Sequence, residues 1–127
     1  MDELKLNFNY NASKGVASVA YYHEDVLCEL MVDKHGNCDF DALDEFLTYI
    51  NPNYRIEMFA VEVVQSIARQ LYLAIASQKQ TVLERFCDDV GEIIEADALS
   101  HVGFEALIIA REHKVHADFN SETGHEG

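Results

Sequence analysis

A chain of 127 residues fits one domain, and a composition of 49% hydrophobic and 25% charged residues excludes a disordered chain. The formal net charge of −14, from 23 acidic and 9 basic residues, repels nucleic-acid phosphates and anionic membranes. No apolar run reaches the ~18 residues of a membrane helix, and residues 1–3 lack the basic flank of a signal peptide. We therefore predict a cytoplasmic protein that binds neither nucleic acid nor membranes directly.

The first third of the chain has the pattern of an antiparallel β-meander. Residues 4–10 alternate apolar and polar side chains, which is the period of a half-buried strand. Turn formers at residues 11–15 lead to a returning strand over residues 16–22, and a second polar turn leads to a third strand over residues 26–32. We predict that these three strands pair in sequence order.

Three helices are predicted to follow the meander. Apolar residues at three- and four-residue spacings predict a first helix that begins at Asp39 or Asp41 and ends at Ile50. The same spacing predicts a long core helix over residues 55–77 and a third helix over residues 81–98. The long helix has a wide apolar surface, so it should pack on the sheet and on another helix.

The C-terminal part of the chain is predicted to return to the sheet. Residues 104–110 are rich in large apolar side chains, and residues 115–119 alternate apolar with polar ones. These patterns predict one or two C-terminal strands, followed by a flexible polar tail over residues 121–127. The predicted fold class is α+β, as a single domain over residues 1–120 with the helices on one face of the sheet.

Alternating oxygen-bearing side chains after the third strand imitate a calcium loop, since hard cations need several oxygen ligands within a short segment. The candidate metal ligands are Asp33, Asn37, Asp39 and Asp41. Cys38 stands where such a loop needs glycine, so a polar turn before an acidic helix N-terminus is the alternative interpretation. No cofactor is predicted, because the chain has no glycine-rich phosphate-binding motif.

No catalytic centre is recognised in the sequence. His35 with Cys38, and His101 with Cys87, pair a thiol with a base, but no third orienting group or nucleophile turn accompanies them. The histidines within residues 112–116 would point to opposite faces of the predicted strand. We therefore predict that the protein is not an enzyme.

Tyrosines that stand among carboxylates indicate a protein-binding surface. Tyrosine is enriched at binding hot spots, and carboxylates pair with the arginines and lysines of a partner. The predicted partner-binding residues are Tyr21, Tyr22, Glu24, Asp25, Asp39, Asp41, Asp44, Tyr49 and Tyr54.

The leading hypothesis is a binding protein that neutralises a basic protein, such as a toxin or a nucleic-acid enzyme. Small acidic immunity proteins and phage-type inhibitors have this profile, and the argument rests on composition rather than on a family motif. Two alternatives stay open. One is a ligand-binding or enzymatic domain with a pocket between sheet and helices, and the other is a homodimer formed through the apolar surface of residues 56–75.

Overall fold

The computed structural model describes residues 6–50, 60–95 and 101–123, and in these ranges three strands precede four helices. The strands are β1 (Asn7–Asn11), β2 (Val16–His23) and β3 (Val26–Asp33). The helices are α1 (Phe40–Ile50), α2 (Val61–Ala76), α3 (Gln80–Glu95) and α4 (His101–Thr123). The predicted α+β class is confirmed.

The strands form an antiparallel sheet in the order β1-β2-β3, which confirms the predicted meander. Side chains alternate between the two faces along each strand. The face toward the helices carries the buried side chains Ala17, Val19, Tyr21, Cys28, Leu30 and Val32. The other face of the sheet lies toward solvent and bears the exposed side chains of Tyr22, Leu27, Glu29 and Met31.

The helix α1 begins where the sequence predicts it. The Asp39 carboxylate accepts a hydrogen bond from the backbone N–H of Asp41 at 2.9 Å, which satisfies one of the free donors of the first turn. The carbonyl oxygen of Asp39 also accepts the N–H of Leu43. The helix packs on β3 and buries Leu43, together with Phe46 and Leu47.

The helix α2 lies at the centre of the fold. It contacts all three strands on one side and both α3 and α4 on the other. Its buried apolar side chains are Val63, Ile67, Ala68, Leu71, Tyr72, Ala74 and Ile75. The predicted core helix is thus confirmed from Val61 to Ala76, whereas its first predicted residues fall in the segment 51–59, outside the described residues. The third predicted helix corresponds to α3, and its last predicted residues, 96–98, also lie outside them.

The predicted C-terminal strands are wrong, because residues 101–123 form the helix α4. The helix packs on α2 and α3. Its inner face carries the apolar side chain of Ile108 but also the charged side chains of Arg111 and Glu112, which pair with residues of α2 and α3. Charges on the buried side hide the 3.6-residue apolar period, so the short apolar runs resemble strands.

No helix within the described ranges is long and apolar enough to cross a membrane.

Candidate functional site

The hairpin of β2 and β3 presents a surface that is both apolar and acidic. The side chains of Tyr22, Leu27 and Met31 are 64%, 59% and 56% exposed on the solvent face of the sheet. Tyr22 and Leu27 are cross-strand partners, so their side chains lie next to each other. We define the hairpin surface as Tyr22, Glu24, Asp25, Leu27, Glu29 and Met31, all of which are exposed.

The tip of this hairpin is a two-residue turn. His23 pairs with Val26, and Glu24 and Asp25 between them have φ angles of 53° and 66°. Two positive φ angles are typical of the type I′ turn, which matches the twist of the strands and favours Asn-Gly. A residue with a Cβ in this region costs about 1–2 kcal/mol. The hairpin therefore holds two carboxylates at its tip, and Glu24 adopts a conformation that its residue type disfavours.

The C-terminal half of α1 supports the hairpin from its inner side. The Tyr21 ring is 1% exposed, and its centre lies 5.5 Å from that of Phe46 and 4.6 Å from that of Tyr49. Burial, and secondarily the nearby Cys28, raise the pKa of Tyr21 well above its usual value. The half-buried His23 packs edge-on against the same Tyr49 ring at 5.6 Å. Tyr21 and Tyr49 therefore position the hairpin, and the buried ring of Tyr21 is not available to a partner.

The predicted partner-binding residues Asp39, Asp41 and Asp44 do not join the hairpin surface. Because Tyr49 lies against the hairpin, Asp39 and Asp41 stand at the other end of α1, roughly 12–15 Å along the helix axis from Tyr49. Asp44 is half-buried in the same helix, and Tyr54 lies outside the described residues. The described residues of the predicted partner-binding set thus do not form one surface, because some lie at the hairpin and others along α1 toward its N-terminus.

The candidate calcium loop is a polar turn held by Asp33. One carboxylate oxygen of Asp33 accepts the backbone N–H groups of His35 and Asn37 at 2.9 Å each, and the other accepts the Asn37 side chain at 3.1 Å. Burial alone would raise the pKa of Asp33, but these hydrogen bonds outweigh it and keep the pKa below its usual value. In the described part of the chain, no three His, Cys, Asp or Glu side chains are grouped to hold a metal ion.

A bidentate ion pair joins α2 to α4. The guanidinium of Arg69 donates to both carboxylate oxygens of Glu112, at 2.7 and 3.0 Å, and His116 lies 3.3 Å from the same carboxylate. Burial opposes the ionisation of Glu112, but hydrogen bonds from Arg69 and Ser66 prevail and lower its pKa to about 2. Glu112 and His116 meet because α4 is helical, which brings residues four apart onto the same face.

The buried amide of Gln70 links the same two helices. Its side chain is 1% exposed, and its nitrogen donates to the carbonyl oxygen of Ile108 at 3.1 Å and to the Ser66 hydroxyl at 3.2 Å. The amide oxygen accepts a hydrogen bond from Arg111. All three polar contacts lie inside the helical layer, so Gln70 fixes how α4 sits on α2.

Arg111 borders a cavity of about 140 Å³ among α2, α3 and α4. Its guanidinium donates twice to one carboxylate oxygen of Asp89, at 3.2 and 2.9 Å, and lies 5.6 Å from the centre of the Phe86 ring. Sequence reasoning predicted a pocket between the sheet and the helices, whereas this one lies within the helical layer. Sequence reasoning missed Gln70, Asp89 and Arg111, because they are far apart in the chain and no local pattern links them.

The apolar stripe predicted as a dimer surface over residues 56–75 is occupied within the molecule wherever it is described. From Val63 onward the stripe packs under the sheet, α3 and α4. Comparison of the whole chain with known proteins adds no further constraint: no protein-family model, no curated protein and no solved structure matches it.

Proposed function

We propose that this chain is a non-enzymatic binding protein that uses the hairpin surface to hold a basic protein. The observation that carries the proposal is the composition of this surface. Three exposed apolar side chains stand among three exposed carboxylates, and residues 16–33 contain no lysine or arginine. A partner with arginines or lysines around an apolar patch would complement it in both charge and polarity.

The conformation of the turn gives independent support. Glu24 and Asp25 occupy the two positive-φ positions of the turn, where glycine, asparagine and aspartate are favoured and glutamate is not. Unfavourable backbone conformations persist where the surrounding structure enforces them, and they cluster at binding sites. Retaining two carboxylates at such a turn is understandable if they contact a partner.

Charge argues for a foreign partner rather than for a second copy of the chain. A dimer formed through the hairpin surface would bring Glu24, Asp25 and Glu29 of both copies together, and each copy carries a net charge of −14. Like charges that meet at an interface cost several kcal/mol. A basic protein avoids this repulsion, and its association would be fast and sensitive to salt.

The test uses a variant that removes the carboxylates and improves the turn. Glu24→Asn combined with Asp25→Gly creates the residue pair that a type I′ turn favours, so the hairpin should remain folded. The control is Asp88→Asn combined with Glu92→Gln, which removes two exposed charges from α3 instead. Each tagged chain is incubated with lysate of its host at about 0.05 M and 0.5 M NaCl, and bound proteins are identified by mass spectrometry.

The proposal expects one basic protein, in near-equal amount with the wild-type chain, that is released at the higher salt concentration. The α3 control should retain it, and the turn variant should lose it, with at least about a tenfold weaker affinity for the purified pair. Retention of the same proteins by both variants, or no basic protein on the wild-type chain, would contradict the proposal.

A further inference from the structure

The cavity among α2, α3 and α4 combines apolar walls with cationic groups. Its apolar lining comes from Leu73, Ala74, Val82, Phe86 and Val115. Its charged lining is Arg85, Arg111, Lys114 and the single carboxylate Asp89. Three of the nine basic residues of a strongly acidic chain thus lie around one small cavity.

Two of these cations form no ion pair with another described residue. Arg111 is paired with Asp89 and held by Gln70, so its position is set by protein contacts. Arg85 and Lys114 are exposed, and no side chain in the described ranges forms an ion pair with either. Among the lining residues the cations thus outnumber the carboxylate, opposite to the charge balance of the chain as a whole.

The size of the cavity limits its occupant. A volume of about 140 Å³ is close to the ~150 Å³ of apolar protein cavities that take up benzene. Phe86 borders the cavity, so an aromatic side chain contributes to its apolar wall. A polyanion such as a nucleotide is too large, and a bare inorganic anion would leave the apolar walls without contact.

We propose that this cavity binds a small organic monoanion with an apolar body about the size of a benzene ring, such as an aromatic or branched-chain carboxylate. The body contacts Leu73, Val82 and Phe86, and the carboxylate is held by Arg85 and Lys114. This site is remote in sequence from the hairpin surface and independent of the function proposed above.

The test titrates the full chain with benzoate at constant ionic strength and follows backbone amide resonances by NMR. Benzamide, which has the same shape without the charge, is the matched probe. We expect saturable shifts confined to residues that line the cavity, with a benzoate dissociation constant of about 1 mM or below. Benzamide should bind about tenfold more weakly.

Two variants separate the cationic groups from general charge effects. Arg85→Gln combined with Lys114→Gln should weaken benzoate binding about tenfold or more. Lys14→Gln combined with Lys34→Gln, which removes two exposed cations that do not line the cavity, should leave it unchanged. Circular dichroism checks that each variant is folded. No saturable shift up to about 10 mM, equal binding of benzamide, or an equal loss in both variants would overturn the proposal.

Discussion

Backbone conformation restricts which residues the loop between β3 and α1 can carry. Gly36 has a φ angle of +83°, a region that side chains with a Cβ disfavour. A Cβ at this position would lie 2.6 Å from the carbonyl oxygen of Gln65 and 2.9 Å from Cγ of Arg69. Gly15 has a similar φ angle of +64°, but nothing lies within 4 Å of its Cβ position.

This difference predicts unequal effects of the same substitution. Gly36→Ala should lower the free energy of unfolding by at least about 2 kcal/mol, because it adds a backbone clash to the conformational strain. Gly15→Ala should cost about 1 kcal/mol, from strain alone. Urea denaturation of both variants measures the two values. Equal losses would show that the contact of the loop with α2 does not restrict position 36.

Side-chain direction decides the role of each tyrosine at the hairpin. Tyr21 and Tyr22 are neighbours in a strand, so their rings point to opposite faces of the sheet. Both were predicted to bind a partner, since the sequence shows the pair but not which face the helices cover. Burial of Tyr21 and exposure of Tyr22 follow from the packing of α1 against β3.

At the scale of elements, charged side chains determine how α4 docks on α2. The ion pair of Arg69 with Glu112 is bidentate, and the Glu112 side chain is only 12% exposed. Bidentate arginine–carboxylate pairs are among the stronger polar contacts in proteins. Because α4 has charged residues at positions 111 and 112 of its inner face, its packing depends on such polar contacts more than the packing of α2 does.

The lowered pKa of Glu112 predicts a pH dependence of stability. Its pKa falls from the usual 4.5 to about 2 in the folded protein, so the folded state favours the ionised carboxylate. The resulting stabilisation is complete above about pH 4.5 and is lost as the pH falls toward 2. Screening by solvent limits its size to about 1–2 kcal/mol.

Urea denaturation of the wild-type chain and of Glu112→Gln, from pH 6 down to about pH 2, tests this prediction. The variant should be less stable near neutral pH, and the difference should shrink as the pH falls. The exposed residue Glu92 provides the control: Glu92→Gln should show no comparable trend. A constant difference between wild type and Glu112→Gln at all pH values would contradict the assignment.

At the scale of the whole molecule, the excess of acidic over basic residues opposes folding. A net charge of −14 is confined to one small domain, and the two well-paired arginines, Arg69 and Arg111, neutralise only a small part of it. Self-repulsion of this kind destabilises a compact state and is screened by salt. The exposed carboxylates thus favour binding to a basic partner at a cost in stability.

Salt should therefore stabilise the free protein. Raising NaCl from about 0.01 M to 1 M at pH 7 shortens the screening length from about 30 to 3 Å. We expect the melting temperature to rise by roughly 4 °C or more, equivalent to about 1 kcal/mol. Calorimetry of the wild type and of the Asp88→Asn, Glu92→Gln variant measures this, and the variant should respond less. A fall in the melting temperature would mean that ion pairs outweigh the repulsion.

The sequence by itself determined the elements whose patterns are local. Alternation over 4–10 and the turn formers after it predict the meander, and uninterrupted apolar spacing predicts α1, α2 and α3. The acidic composition and the acidic turn of Glu24 and Asp25 could likewise be predicted from the sequence. The physical reason is that period, turn chemistry and net charge depend on residues close together in the chain or on their total number.

Only the tertiary structure decided three features: that α4 is a helix, which tyrosines are buried and which exposed, and that a cavity lies among the helices. Arg111 and Glu112 appear as surface charges in the sequence, because their partners Asp89, Gln70 and Arg69 stand 22 to 43 residues away. A charged side chain becomes an inner-face residue only when a partner is brought to it. The contact between a charged side chain and its distant partner is set by the packing of whole helices, which no local pattern in the sequence encodes.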